Sequence, residues 1–407
     1  MAYTLKAHPH INEIGSTAWD ACANPILTDP HCGIPFDPFV SYAFLNALED
    51  SASAVSETGW APYHIALATE EDEDTILGVV PMYLKNHSQG EYVFDHSWAD
   101  ALERAGGRYY PKLQVSVPFT PATGRRLLTP SHPDAPDRET ALMAGMTQVA
   151  EELNVSSIHV TFASESQWAH MGKAGFLQRT HSQFHWQNQR YSNFEDFLGA
   201  LSRKKRKNVN RERRDALANG ITVEWVTGND LTEAHWDAFY EFYMDTGYRK
   251  WGRPYLTRAF FSSIGSSMPN DVLLILAKRG GKYVAGAINF IGGDCLFGRN
   301  WGCTEHHRFL HFEICYYQAI DFAIQRGLNR VEAGAQGSHK LARGYMPSHT
   351  YSAHWIVNPS FRQAVDRYLE DEREYVDQEI DLIEERYSPF RSDPGSPETP
   401  HDSESDE

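Results

Sequence analysis

The chain has 407 residues, 41% of them hydrophobic and 13% aromatic, enough for two domains with substantial cores. No apolar run approaches the roughly 18 residues that a membrane-spanning helix needs, and the start, MAYTLKAHPHINEIG, lacks the basic-then-apolar order of a secretion signal, so a cytoplasmic protein is expected. The formal net charge of −17 is concentrated at one end, because residues 370–407 hold fifteen acids against three bases and leave only −5 for the other 369. Five cysteines, Cys22, Cys32, Cys295, Cys303 and Cys315, include no CxxC pair, which argues against a disulfide framework and a structural zinc site.

In chain order, residues 36–49 predict an extended entry and a short helix, with Asp37-Pro38 as the turn. Residues 63–68 and 76–84 predict strands around an acidic turn. Phe94-x-x-x-Trp98 predicts a strand end, and a long insertion, roughly 100–138, follows it. Residues 139–153 space Leu142, Met146, Val149 and Leu153 as one helix face, and residues 157–162 predict a strand. Gly175-Phe176 then leads, eleven positions from the glycine, to Trp186 preceded by His185.

Between the halves lies SRKKRKNVNRERR, residues 202–214, with eight bases and one acid. It predicts a basic linking helix over 191–220, with Arg203, Arg206, Lys207 and Arg214 along one side as candidate phosphate-binding residues. Residues 272–277, 283–291 and 295–301 predict three adjacent antiparallel strands ending in Phe297-x-x-x-Trp301. A helix over 311–326 stops at Gly327 and feeds a strand at 330–333. Gly344-Tyr345 then repeats the earlier spacing to His354-Trp355, and residues 388–407 predict a disordered acidic tail.

The shared order of these features in each half predicts a duplicated domain. The expected fold class is α/β (α+β), two tandem copies, each a mixed, mostly antiparallel sheet flanked by helices. Expected boundaries are 1–190 for the first copy, 191–220 for the linking helix and 221–387 for the second.

Four segments carry a resemblance: GVVPMYLKNHSQGEYVFDHSWADA, YYPKLQVSVPFTPATGRRLL, SRKKRKNVNRERR and HFEICYYQAIDFAIQRGLNRVEAGAQGSHKLARGYMP. Together they resemble the FemAB-like family of predicted N-acyltransferases, over about residues 8–380. The resemblance implies a doubled acyl-CoA N-acyltransferase (GNAT) fold and transfer of an acyl or aminoacyl group to an amine acceptor. Related Fem ligases take aminoacyl-tRNA as donor and build peptidoglycan cross-bridges, whereas GNAT enzymes take acyl-CoA. The sequence departs from the GNAT pattern after Trp301, where Gly302-Cys303-Thr304-Glu305-His306-His307-Arg308 has one glycine and one acid in place of a glycine-rich pyrophosphate loop. No tightly bound cofactor is expected.

Amide formation needs a neutral amine: at pH 7 a lysine-like amine of pKa about 10.4 costs roughly 4.6 kcal/mol to deprotonate, and an α-amine near 8 roughly 1.4. The segment after the 330–333 strand supplies suitable groups. Glu332 or His339 is the expected base and Tyr345 the candidate acid, although Tyr345 matches Phe176 in the repeat. Gln336, Lys340, Arg343 and Arg299 are candidate donor- or substrate-binding residues, and Asp95 with His96 are expected to line a cleft shared by the copies. His185 and His354 precede matching tryptophans and read as structural. His306, His307, His311 and Glu313 offer metal-ligand types without convincing spacing, so no metal is expected. The stretch from Thr246 to Arg253 mixes aromatics with bases and fits an acceptor pocket, packing or nucleic acid. Two other functions stay open: an aminoacyl-tRNA-dependent Fem-type transferase, with the basic helix on tRNA, and a non-catalytic binding protein of the same fold.

Overall fold

The sequence VLLILA at 272–277 is unbroken in its apolarity because the strand it forms is covered on both faces, with every residue from Val272 to Ala277 buried. That strand belongs to a sheet running through the whole molecule. The computed structural model describes residues 2–250, 254–334 and 337–391. Gln336, residues 251–253 of the basic and aromatic stretch, and the acidic tail beyond residue 391 lie outside the described residues.

The strands are β1 (Tyr3–His8), β2 (Ala61–Pro62), β3 (His64–Thr69), β4 (Gly78–Val80), β5 (Met82–Lys85), β6 (Lys112–Val115), β7 (Ser157–Ala163), β8 (Leu177–Gln187), β9 (Ile221–Thr227), β10 (Val272–Arg279), β11 (Lys282–Ile291), β12 (Cys295–Cys303), β13 (Arg330–Glu332) and β14 (Met346–Ile356). The helices are α1 (Ser16–Ala23), α2 (Tyr42–Asp50), α3 (His96–Arg104), α4 (Ala135–Glu152), α5 (Glu165–Lys173), α6 (Phe194–Ala200), α7 (Arg203–Ala216), α8 (Glu233–Lys250), α9 (Arg258–Ser267), α10 (Leu310–Phe312), α11 (Gln318–Arg326) and α12 (Pro359–Tyr387). A π-helical turn, Glu313–Tyr317, joins α10 to α11.

One 11-stranded sheet has the order β2-β5-β6-β7-β14-β8-β13-β12-β11-β10-β9, and β1, β3 and β4 form a small second sheet. The predicted meander β10-β11-β12 is present. β14, from the end of the chain, pairs with β7 and β8 of the first half, while β8 also pairs with β13 of the second. The copies therefore exchange their final strands, and a division near residue 190 separates them along the chain but not in space.

The repeated Gly-aromatic step has a backbone cause. Gly175 and Gly344 both take φ of 91°, a left-handed turn into the exchanged strand that suits glycine. A Cβ on Gly175 would approach Trp355, and one on Gly344 would approach Trp186 and Phe197, so each turn packs beside the other copy's tryptophan.

Three expectations are corrected. Trp98 lies in α3, whereas Trp301 lies in β12, so that pair is not an equivalence. The stretch 100–138 contains β6, a paired strand of the main sheet, and is not only a loop. The linking segment forms two helices, α6 and α7, broken at Leu201 and Ser202, with Ser202 in extended geometry as N-cap of α7.

The copies also share a core. Phe39 lies 5.1 Å from Phe290, Phe44 lies 5.6 Å from Phe260 (ring centroids), and Phe119 stacks on Tyr255 at 4.6 Å. Loops and helix α2 of the first half thus pack against β11 and α9 of the second.

Candidate functional site

β12 and β13 run parallel for three residue pairs, Cys295 with Arg330, Leu296 with Val331 and Phe297 with Glu332. β13 then stops while β12 continues to Cys303, so beyond Gly298 no strand pairs with β12 on that side. A register shift against β11 between Ala287 and Asn289 bends β12 at the same level. The result is a wedge-shaped opening with Glu332 at its apex.

Glu332 is 4% exposed. Its Oε1 accepts from Arg330 Nε at 3.1 Å, and its Oε2 is buried without a hydrogen-bond partner among the described residues. His185, opposite Glu332 in β8, places Nε2 3.9 Å from Oε2 and 3.2 Å from Gln183 Oε1. Burial pushes the His185 imidazole below its ordinary range, and the Glu332 carboxylate only partly offsets this, so the ring is neutral at pH 7. Arg330 is held in turn by Asp294 through Nη1 at 2.5 Å.

Three further charges surround the apex. Arg126 is buried and donates to the carbonyls of Thr161, Arg125 and Ala122; burial lowers its guanidinium to about 10, which leaves it charged. Asp37, whose carboxyl burial pushes up, feels both Arg126 and Glu332. Arg299 is half-buried, donates to the Phe119 carbonyl and feels the charge of Glu332. Asn289 in β11 is 1% exposed, with its Oδ1 unpartnered.

The chain leaving Glu332 folds back as a 3-10 turn, Ser338–Arg343. Lys340 is buried, donates to the Gly334 carbonyl at 2.6 Å and is lowered by burial to about 8; its charge bears on His185. His339 turns outward, with Nε2 2.8 Å from Tyr316 OH. Arg343 grips Glu212 of α7 with Nε at 3.1 Å and Nη2 at 2.9 Å, and lies 3.4 Å over the Phe312 ring. Tyr345 is fully buried with an unpartnered hydroxyl, and burial holds its phenol well above the ordinary range. Tyr345 packs here at the position that Phe176 takes in the first copy.

Asp95 and His96, expected to line a cleft shared by the copies, are set apart, the first buried and the second exposed. His96 is exposed in the first turn of α3, its ring 6.3 Å from that of Phe94. Asp95 belongs to a closed network at the first copy's equivalent position. There His159 stands opposite His354 as Glu332 stands opposite His185. The two imidazoles meet Nδ1 to Nδ1 at 2.7 Å, and His159 Nε2 lies 2.8 Å from Ser157 Oγ. Tyr109 OH donates to Asp95 at 2.6 Å, and buried Lys112 donates to Ser88, Glu91 and Asp95. Burial lowers His159 to about 3 and raises Glu91 to about 7. Burial opposes the charge on Asp95 most strongly of any single cause, yet the charge and hydrogen bond of Lys112, with His159 and Ser88, together outweigh it and hold that carboxyl low.

The bases of α7 gather on one side of the helix. Arg203, Arg206, Lys207 and Arg214, joined by Asn210 and Arg211, line an open groove of about 520 Å³. The opposite side of α7 carries Glu212, bound by Arg343, and Arg213, whose Nη2 donates to buried Glu313 at 3.1 Å. The groove is thereby tied to the turn that leaves Glu332.

Past the wedge, Trp301, Cys303, Glu305, His307 and His311 line a cavity of about 210 Å³. Glu305 is held there by Arg279 Nε at 2.7 Å and His307 Nε2 at 3.0 Å. Among the described residues, no group of three His, Cys, Asp or Glu is placed to hold a metal ion.

With this geometry in hand, the sequence model of the FemAB-like family, described as peptidoglycan biosynthesis and recognition, matches residues 10–392. The chain belongs to the FemAB-like family. A solved structure of FemX shares 13% identity over 90% of this chain and 100% of that one, with a TM-score of 0.53. L-PGS from Bacillus licheniformis shares 10% over 83% and 98%, at 0.49, and a tandem GNAT protein from the clavulanic acid biosynthesis pathway 11% over 88% and 99%, at 0.43. At 13% identity the likeness to FemX is one of fold. A search of curated sequences gave no match. As a FemAB-like protein the chain is an acyltransferase. Among the described residues, no helix is long and apolar enough to cross a membrane.

Sequence reading missed His185, Arg126, Asp37 and Asn289 as members of this site. Only His185 left a signal, its echo in His354; the strand exchange that sets it opposite Glu332 is invisible along the chain.

Proposed function

We propose that this FemAB-like protein transfers an aminoacyl group from tRNA to an amine acceptor, with Glu332 as general base. The observation that carries the reading is the unpartnered, buried Oε2 of Glu332 at the apex of the wedge. A carboxylate oxygen left without a donor in a buried site is costly unless a ligand completes it, and an incoming ammonium or amine supplies the missing N–H. The amine nitrogen attacks the ester carbonyl carbon; the C–N bond forms, the C–O bond to the ribose breaks, and the nitrogen's proton passes to Glu332. Lys340, buried on the turn that leaves Glu332, is the group assigned to protonate the departing hydroxyl, and a lysine near 8 is charged at pH 7 yet gives up its proton readily. Arg299 and Arg126 favour the negative charge that builds on the carbonyl oxygen.

Two observations support tRNA over acyl-CoA as donor. The α7 groove presents five bases, of which Arg203, Arg206, Lys207 and Arg211 have no acid within ion-pair distance among the described residues. At the end of β12, where a pyrophosphate would need backbone N–H groups, the cavity wall carries Glu305.

The test is to offer charged tRNA and acetyl-CoA in parallel with an amine acceptor and to follow amide formation by mass. Transfer from charged tRNA, with tRNA affinity falling about a thousandfold or more between 50 and 200 mM salt, is expected. Transfer from acetyl-CoA alone would overturn the donor, and binding without transfer from either would leave a non-catalytic binding protein.

A further inference from the structure

The chain leaves its last described contact beside the basic helix. Leu201 and Phe390 form an isolated antiparallel bridge. Ser202 N donates to the Pro389 carbonyl at 3.0 Å, and Arg391 N to the Ala200 carbonyl at 3.0 Å. Ser202 is the N-cap of α7, so Arg391, the last described residue, lies at the N-terminal end of α7, where the groove begins with Arg203. The segment that follows, SDPGSPETPHDSESDE, holds six acids and no lysine or arginine.

We propose that residues 392–407 lie along the α7 groove and compete there with the polyanionic donor. Charge and length agree. Six carboxylates face a groove with five bases, four of them without an acidic partner among the described residues. The 14 residues of α7 span about 21 Å, and sixteen residues of extended chain reach roughly 50 Å. Tethered at Arg391, the segment meets the groove at about millimolar effective concentration, so a weak intrinsic affinity near 0.1 mM lowers a competitor's apparent affinity about tenfold.

The tail acts as a threshold. A polyanion with few phosphates does not displace it, whereas a long one that also contacts the surrounding surface does. Binding to the intact chain exchanges carboxylates for phosphates and releases fewer ions, so its salt dependence is shallower than that of the truncated chain, by up to about 0.7–0.9 in slope per base neutralised. This inference rests on the proposed donor only for the identity of the competitor.

The experiment compares three full-length or near-full-length chains: the parent, one ending at Arg391, and one carrying Asp393→Asn, Glu398→Gln, Asp402→Asn, Glu404→Gln, Asp406→Asn and Glu407→Gln. Labelled bulk tRNA is titrated by anisotropy at several salt concentrations. In the absence of nucleic acid, carbodiimide cross-links from Lys204, Lys205 or Lys207 to tail carboxylates are mapped in the monomeric parent. The truncated and neutralised chains are expected to bind tRNA about tenfold tighter at low salt, and the parent to show the cross-links. Equal affinity within twofold, together with no cross-link in the monomer, would overturn the proposal. If no chain binds tRNA, the donor reading falls while the cross-links decide the tail: their presence upholds it and their absence refutes it.

Discussion

Glu212 ties the basic helix to the Ser338–Arg343 turn, and replacing it with alanine tests how firmly. It accepts both arms of Arg343 and the Tyr317 hydroxyl, and the ion pair is only 11% and 7% exposed on its acid and base sides. Removing one member of a buried pair leaves the other desolvated without a counter-charge, at a cost of about 3–5 kcal/mol. Arg343 keeps two partial compensations, Nη1 to the His339 carbonyl at 2.6 Å and the Phe312 ring. A desolvated cation over an aromatic face is worth up to about 2 kcal/mol, so the lower end, about 3 kcal/mol, is expected. Urea unfolding followed by tryptophan fluorescence gives the difference from the shift in midpoint at constant slope. The double variant Glu212→Ala, Arg343→Met should recover part of the loss, because neither charge then remains buried alone. A Glu212→Ala protein within about 0.5 kcal/mol of the parent, the ordinary range for surface changes, would refute this account of how α7 is held.

Three further outcomes follow from the fold. Between pH 6.5 and about 3 an unfolded histidine takes up a proton that native His159 refuses, so this residue lowers stability as pH falls through that window, by up to roughly 1.4 kcal/mol per pH unit; His159→Gln should flatten the slope, and an unchanged pH profile of unfolding would count against a neutral buried pair. Lys112→Met strands Asp95 and Glu91 in the interior and should cost about 3–5 kcal/mol in the same unfolding assay. Gly344→Ala should cost more than Gly175→Ala in thermal unfolding: both incur about 1–2 kcal/mol for the left-handed backbone, but only the first drives a Cβ to 2.7 Å from a phenyl ring, against 3.6 Å for the second.

Local elements were legible because local pattern decides them. The helix ending at Gly327 has a glycine in left-handed geometry where the apolar spacing stops, and β10 announces its burial by an unbroken apolar run. Glu332, Lys340 and the α7 bases were legible because each lies in a segment whose polar residues have no equivalent use in the repeat. What escaped is what depends on pairing. Trp98 and Trp301 share a spacing that means a helix in one place and a strand in the other. Arg126 and Asp37 reach the site from loops of the first half, more than 200 residues from Glu332 along the chain. Lys112 sits inside what reads as a polar insertion, and a fully buried lysine is too rare to be expected without seeing the carboxylates around it. Strand exchange explains most of these misses, since it makes each copy's site depend on residues of the other.

The most direct test of the central claim is single-turnover transfer from charged tRNA by Glu332→Gln, measured across pH beside the parent. The amide keeps the size and the contact with Arg330 but cannot accept the amine's proton. The account predicts unchanged tRNA affinity and a rate lower by about 10²–10⁴-fold. A variant that transfers at the parental rate would contradict it.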